Sequence, residues 1–148
     1  MEKPANQGRI LAIDLGTRRM GLALSDPGRQ IGSSLGMIER RGMARDLARL
    51  RELTREREVT EIVLGLPLHL SGGESEGSRR SRAFAERLER ELGLPVRLRD
   101  ESLTTVEAED ILIEADVSRR KRKKVIDGMA AALILRSYLN ELEERPAP

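Results

Sequence analysis

Four apolar residues in an unbroken row, Ile10-Leu11-Ala12-Ile13, closed by a carboxylate, Asp14, constrain this chain more than any other stretch of it. A half-exposed strand alternates apolar and polar side chains. A run without alternation needs cover on both faces, which is how the central strand of a layered α/β sheet reads. Asp14 therefore ends a buried element. An ionised acid taken out of water is costly unless it is paired or coordinates a metal, and the strand offers no base beyond its first residue, Arg9. A turn or helix-capping role is the other use for a lone aspartate at such a place.

Leu15-Gly16-Thr17-Arg18-Arg19 reads as a turn, Met20 to Ser25 as the second strand of a hairpin, and residues 30–38 as a third short strand. Gly16 and Thr17 supply permissive backbone and free N–H groups beside Asp14, a place for a phosphate or a metal-bound water, and Arg18 can reach a phosphate. Met43, Leu47, Leu50 and Leu53 recur at helical spacing and predict a helix over 42–57, followed by a buried strand over 61–66 that Pro67 stops. The loop 68–77 carries His69. Ser78 then caps a helix whose Phe84, Leu88 and Leu92 form one stripe before Gly93 ends it. A short strand spans Pro95 to Arg99, Thr104 with Glu107 forms a capping box for a helix to about Ala115, and residues 126–142 form the last helix. Three meander strands followed by alternating helices and strands predict one α/β domain over 1–148, with 1–8 and 145–148 as tails. Its sheet is mixed and five-stranded, strands 1–3 antiparallel and the later ones parallel, flanked by helices. That is the order of the ribonuclease H-like fold.

Two further acids join Asp14. Asp100-Glu101 follows the fifth strand, and ligands of open α/β sheets gather where strands stop, so acids far apart in sequence can meet there. Neighbouring strand residues point to opposite faces, so one of the pair faces the site; Glu101 is the choice and Asp100 the reserve. Asp127 opens the final helix among small residues, Gly128, Ala130, Ala131 and Ala132, that permit close packing on the sheet. The positive end of a helix dipole favours an acid in its first turn by roughly half a kcal/mol. Immediately before it runs Arg119-Arg120-Lys121-Arg122-Lys123-Lys124. The chain carries +2 overall and this hexad alone +6, which leaves −4 elsewhere, so the positive charge is local. A solvated helix face or a nuclear-localisation signal would account for such a run. A compact cationic segment beside candidate metal ligands is also what an enzyme acting on a polyphosphate backbone needs.

Composition removes several rival chemistries. There is no cysteine, which excludes disulfides, thiolate zinc sites and cysteine nucleophiles, and one histidine, His69, leaves a serine–histidine triad a single arrangement. Phe84 and Tyr138 are the only aromatics, against the stacking platforms that hold single strands. Recognition is expected through phosphates and shape. Of 27 basic residues 23 are arginine, which suits bidentate phosphate contacts. No segment is apolar enough to cross a membrane, and Met1-Glu2-Lys3-Pro4 lacks an apolar signal region, so a cytoplasmic protein is expected.

At this point the chain resembles the YqgF/RuvX family, bacterial ribonuclease H-like proteins related to Holliday junction resolvases and described as candidate processing nucleases of the small-subunit ribosomal RNA precursor. The carriers are Ile13-Asp14-Leu15-Gly16-Thr17-Arg18-Arg19-Met20-Gly21 with Ser25-Asp26; Gly65-Leu66-Pro67; Asp100-Glu101-Ser102-Leu103-Thr104-Thr105; and Arg119 to Lys124 leading into Ile126-Asp127-Gly128-Met129-Ala130-Ala131. The likeness runs from about Arg9 to Leu139. It implies that Asp14, Glu101 and Asp127 form a catalytic carboxylate cluster binding Mg²⁺ or Mn²⁺. Two positions depart from the pattern: Ser102 stands where members commonly carry arginine, and His69 where asparagine or a similar polar residue is frequent.

The expected chemistry is phosphodiester hydrolysis with two divalent ions roughly 3.5–4 Å apart, Asp14 bridging both and Glu101 and Asp127 each completing one shell. Arg18 with Arg119, Arg120, Lys121, Arg122, Lys123 and Lys124 would hold the nucleic-acid backbone. The resemblance puts the 5′ end of the 16S ribosomal RNA precursor first as substrate and a four-way DNA junction second. A junction needs a homodimer, whereas trimming one RNA end can be done by a monomer. A module that only binds RNA or a ribosomal partner is the reading of another class. Asp14-Leu15-Gly16-Thr17 also resembles the first phosphate motif of actin-like kinases, which need a second such domain to enclose ATP.

Overall fold

The computed structural model describes residues 8–66, 76–100 and 119–144. Its elements, in chain order, are β1 (Arg9–Leu15), β2 (Arg19–Ser25), β3 (Gly32–Glu39), α1 (Met43–Glu56), β4 (Val59–Leu66), α2 (Glu76–Leu92), β5 (Val96–Asp100) and α3 (Arg119–Glu144). One sheet has the order β3-β2-β1-β4-β5. β1 pairs antiparallel with β2 and parallel with β4, β2 pairs antiparallel with β3, and β4 pairs parallel with β5. This is the mixed five-stranded arrangement expected, with β1 at its centre.

Period-two alternation sorts the sheet into two faces. Leu11, Ile13, Leu22, Ile62 and Leu64 pack with Leu47 and Leu50 of α1 and Phe84 and Leu88 of α2. Ile10, Ala12, Ala23 and Val63 pack on the other face with Ala131, Ile134, Leu135 and Tyr138 of α3. β1 is thus covered on both sides, which is why its sequence never alternates. Small residues bring α3 close. A Cβ on Gly65 would stand 2.5 Å from Ile134 Cδ1, and one on Gly32 2.7 Å from Leu135 Cδ2. Both glycines are holes that α3 side chains fill.

Several boundaries differ from expectation. Ser78 does not cap α2 but is buried in its first turn, and α2 ends as predicted at Gly93, whose φ of +70° suits glycine and whose N–H donates to Glu89 O at 3.0 Å. Gly8 is tied down, its N–H donating to Pro27 O at 2.9 Å, rather than belonging to a tail. α3 begins at Arg119 instead of Ile126, because arginine and lysine are good helix formers and no glycine or proline interrupts residues 119–127. The predicted helix over 104–115, together with Glu101, Ser102 and His69, lies outside the described residues. Among the described residues no helix is long and apolar enough to cross a membrane.

Candidate active site

Asp14 is the last residue but one of β1, at the sheet's C-terminal edge, and it is half-buried. It continues the series Ile10, Ala12, whose side chains meet α3, so by alternation Asp14 belongs to the α3 face. The hairpin behind it is tightly built. Gly16 N–H donates to Arg19 O at 2.8 Å, and a Cβ on Gly16 would stand 2.7 Å from that same oxygen. This corrects the expectation of a free N–H at Gly16: closing the turn consumes it.

Arg40, which local sequence pattern does not single out, pins this turn. Its backbone N–H donates to Arg18 O at 2.8 Å and its Nη1 donates to Gly16 O at 3.1 Å. Its Nε donates to Asp46 Oδ2 at 3.2 Å, while the guanidinium lies over the Phe84 ring, 5.6 Å from its centroid. Asp46 is fully buried, and its other oxygen accepts the Arg41 N–H at 2.9 Å. No helical or strand period marks Arg40 and Asp46, because their use depends on α1 docking beside the hairpin. Arg18 itself is exposed on the turn.

Ile13 stands beside Leu64, and Leu64 beside Leu98, so Asp14, Gly65 and Arg99 share one level. Two strand spacings of about 4.8 Å separate the β1 and β5 ends, roughly 10 Å. β5 ends at Asp100, directly before Glu101. Arg99 reaches α3, where its Nε donates to Ser137 Oγ at 3.0 Å and its guanidinium pairs with Glu141.

α3 runs antiparallel to β1 and β4. Tyr138 donates its hydroxyl to Glu61 near the start of β4, and Ile134 fills the hole at Gly65 near its end. The helix segment before Ala131 therefore extends toward the edge where Asp14 stands. Asp127 is seven residues before Ile134, about 10 Å along the axis. It is the ninth residue of α3 rather than in the first turn, so the helix dipole, whose effect fades beyond that turn, does not account for this acid. The hexad Arg119 to Lys124 forms the opening turns of the same helix. Among the described residues no cluster of three metal-ligating side chains is assembled; two of the three candidate carboxylates lie outside the described side chains. What converges on the β1 edge is thus one half-buried carboxylate, the end of β5 and the leading half of α3.

The family model described as RuvX, Holliday junction resolvase, matches residues 8–141. The chain belongs to the RuvX family. A relative from Moorella thermoacetica, provisionally named as a pre-16S rRNA nuclease, is 48% identical over 134 residues, covering 90% of this chain and 96% of the relative. One of the same name from Koribacter versatilis is 46% identical over 138 residues, covering 93% and 90%. Among solved structures, the fowlpox virus resolvase in complex with Holliday junction DNA superimposes with a TM-score of 0.58 at 15% identity, over 90% of this chain and 98% of that one. Thermus thermophilus RuvC in complex with a Holliday junction substrate gives 0.56 at 13% identity, over 90% and 96%. At such identities the likeness is one of fold, and that fold is the ribonuclease H-like sheet of the RuvC-type resolvases.

Proposed function

We propose that this RuvX family member cleaves phosphodiester bonds at the 5′ end of the 16S ribosomal RNA precursor, in the cytoplasm. The chain is an enzyme of the phosphodiester-hydrolysing class, as the family description and the names of its relatives state for theirs. The observation that supports the residue assignment is Asp14: a half-buried carboxylate near the end of the central strand, on the face of the sheet that α3 covers, two strands from β5, whose last residue precedes Glu101 in sequence.

Asp14, Glu101 and Asp127 form an all-oxygen donor set, which suits Mg²⁺ or Mn²⁺ rather than a softer metal. When bound, the divalent metal supplies an activated water and charge stabilisation at the scissile phosphate. Asp14 is held rigidly by a strand whose neighbours are fully buried, so its carboxylate is oriented before substrate arrives. Arg18 and residues Arg119 to Lys124 neutralise and orient the flanking phosphates.

Asp14→Asn keeps the shape and removes the charge. It is expected to lower cleavage of a labelled 16S precursor by on the order of a thousandfold while leaving the melting temperature and RNA binding nearly unchanged. Full cleavage by this variant would remove the scheme, and RNA binding without metal-dependent cleavage by the wild type would favour a binding module. The family description, Holliday junction resolvase, supports a second reading. Symmetric paired nicks in a four-way DNA junction by a homodimer, with precursor RNA left intact, would put that reading first.

A further inference from the structure

The cations of the described residues are unevenly placed along the strand direction. β1 ends, β2 begins and β3 ends at the Asp14 edge, so Arg18, Arg19, Arg40 and Arg41 all gather there. α1 starts at the same edge and adds Arg45 and Arg49 in its first two turns. Besides Asp14, two acids accompany these six, and Asp46 is already committed to Arg40. The other, Glu39, is paired with Arg41 at 3.6 Å, with the two side chains 73% and 60% exposed. Such an exposed pair contributes little and exchanges readily. Farther along, the excess disappears: Arg51, Arg55 and Arg57 are matched by Glu52, Glu56 and Glu58.

Arg41, Arg45 and Arg49 are exposed on the α1 side of the sheet. The hexad of α3 belongs to the opposite side, so Asp14 stands between two basic surfaces rather than beside one. Arg45 and Arg49 are one helical turn apart, neighbours on the helix surface at about 5–6 Å between Cβ atoms. In the first turn of α1 the helix dipole disfavours a cation, a local cost that a bound anion relieves. Both aromatics are buried, Phe84 at 1% and Tyr138 at 7% exposure, so this surface has no ring on which to stack a base. What it offers is guanidinium groups, which match phosphate oxygens two at a time.

We propose that Arg41 and Arg45, with Arg49 behind them, form a second phosphate-binding surface that grips the nucleic-acid backbone flanking the cleavage position, on the face of the sheet away from the α3 hexad. The proposal rests on the nuclease reading above and names the part of the substrate path that reading leaves open. The surface reads backbone and is indifferent to sequence.

The test is binding, which does not depend on cleavage. A labelled RNA hairpin with a single-stranded 5′ extension is titrated with full-length protein in EDTA, at several salt concentrations. Arg41→Ala/Arg45→Ala is expected to weaken binding about tenfold at 0.1 M salt and to reduce the slope of log Kd against log salt by roughly one per arginine removed. The loss is expected to be equal for a hairpin of scrambled sequence. Arg55→Ala/Arg90→Ala removes the same charge from the exposed last turns of α1 and α2, at the far end of the sheet, and is expected to keep the wild-type slope. An unchanged slope in the Arg41/Arg45 variant, or an equal reduction in both variants, overturns the proposal. A wild type that binds with the expected slopes but never cleaves leaves this surface standing and removes the nuclease reading instead.

Discussion

At the edge of the sheet where β1 begins, a buried ion pair ties three elements together; at the edge where β1 finishes, the buried Arg40–Asp46 pair is surrounded by arginines that stand in solvent. Near the first edge Glu61 and Arg29, 7% and 9% exposed, pair at 3.3 Å. The Arg29 Nε donates to Gly8 O at 2.9 Å, its Nη2 donates to Thr60 Oγ1 at 3.2 Å, and the Tyr138 hydroxyl donates to the second Glu61 oxygen. Arg29 holds this position with φ at +58°, a conformation unusual for a side-chain-bearing residue. Near the second edge Arg18, Arg41 and Arg45 are exposed and Asp14 is only half-buried. One end fastens the hairpin, β4 and α3 together, and the other leaves polar groups available to a ligand. On the proposed reading, the fold places the fastening and the site about one strand length apart.

The sharpest way to break this contrast is at Glu61. Glu61→Ala removes the carboxylate paired with the buried Arg29 guanidinium and an acceptor of the Tyr138 hydroxyl, and is expected to cost about 3–5 kcal/mol in urea unfolding. Cleavage per folded molecule should survive, the reverse of the Asp14→Asn outcome. If Glu61→Ala loses activity at full stability, the division between the two ends is wrong.

Gly65 lies at the level of Asp14 yet serves packing. Gly65→Ala pushes a Cβ into Ile134 Cδ1, the far end of a flexible side chain, so α3 yields rather than the sheet. A loss of about 1–3 kcal/mol is expected, with a fall in cleavage because α3 also carries Asp127. Unchanged cleavage at reduced stability would detach the seating of α3 from the site.

The smallest effect is expected at Asp26, in the turn after β2. Its Oδ1 accepts the N–H groups of Ile31 and Gln30, each at 2.8 Å, and its Oδ2 accepts that of Gly28 at 3.1 Å. These bonds, that from Ile31 foremost, hold its carboxyl below the ordinary value of 3.8. A depressed acid stabilises the fold above its unfolded value and loses that contribution as pH falls through the folded one. Asp26→Asn should therefore cost on the order of 1 kcal/mol near pH 7, and the difference from wild type should shrink below about pH 4. A difference independent of pH would show that the charge is irrelevant to the turn.

Much of the architecture was legible because it is encoded locally. The unbroken row Ile10 to Ile13 demanded two covered faces, the recurrence of Met43, Leu47, Leu50 and Leu53 demanded a helix, and the strand-end position of Asp14 followed from both. The start of α3 is not legible in the sequence, because a basic run carries no apolar period although its residues favour helix. Ser78 resembles a cap for a related reason: a serine before an apolar stripe looks the same whether it precedes the helix or is buried in its first turn.

The amino-acid order by itself determined the α/β class, the mixed sheet and the family motifs, because strand and helix periods and turn residues act within a few positions of one another. Only the tertiary structure decided which charges are spent on the fold. Arg29 finds Glu61 across 32 residues and Tyr138 finds it across 77, while Arg40 closes the turn behind Asp14 by reaching back 24 residues to Gly16. Nothing local distinguishes these from the chain's other charged residues. An arginine becomes a fastener or a phosphate contact according to whether packing removes it from water with an acceptor in reach.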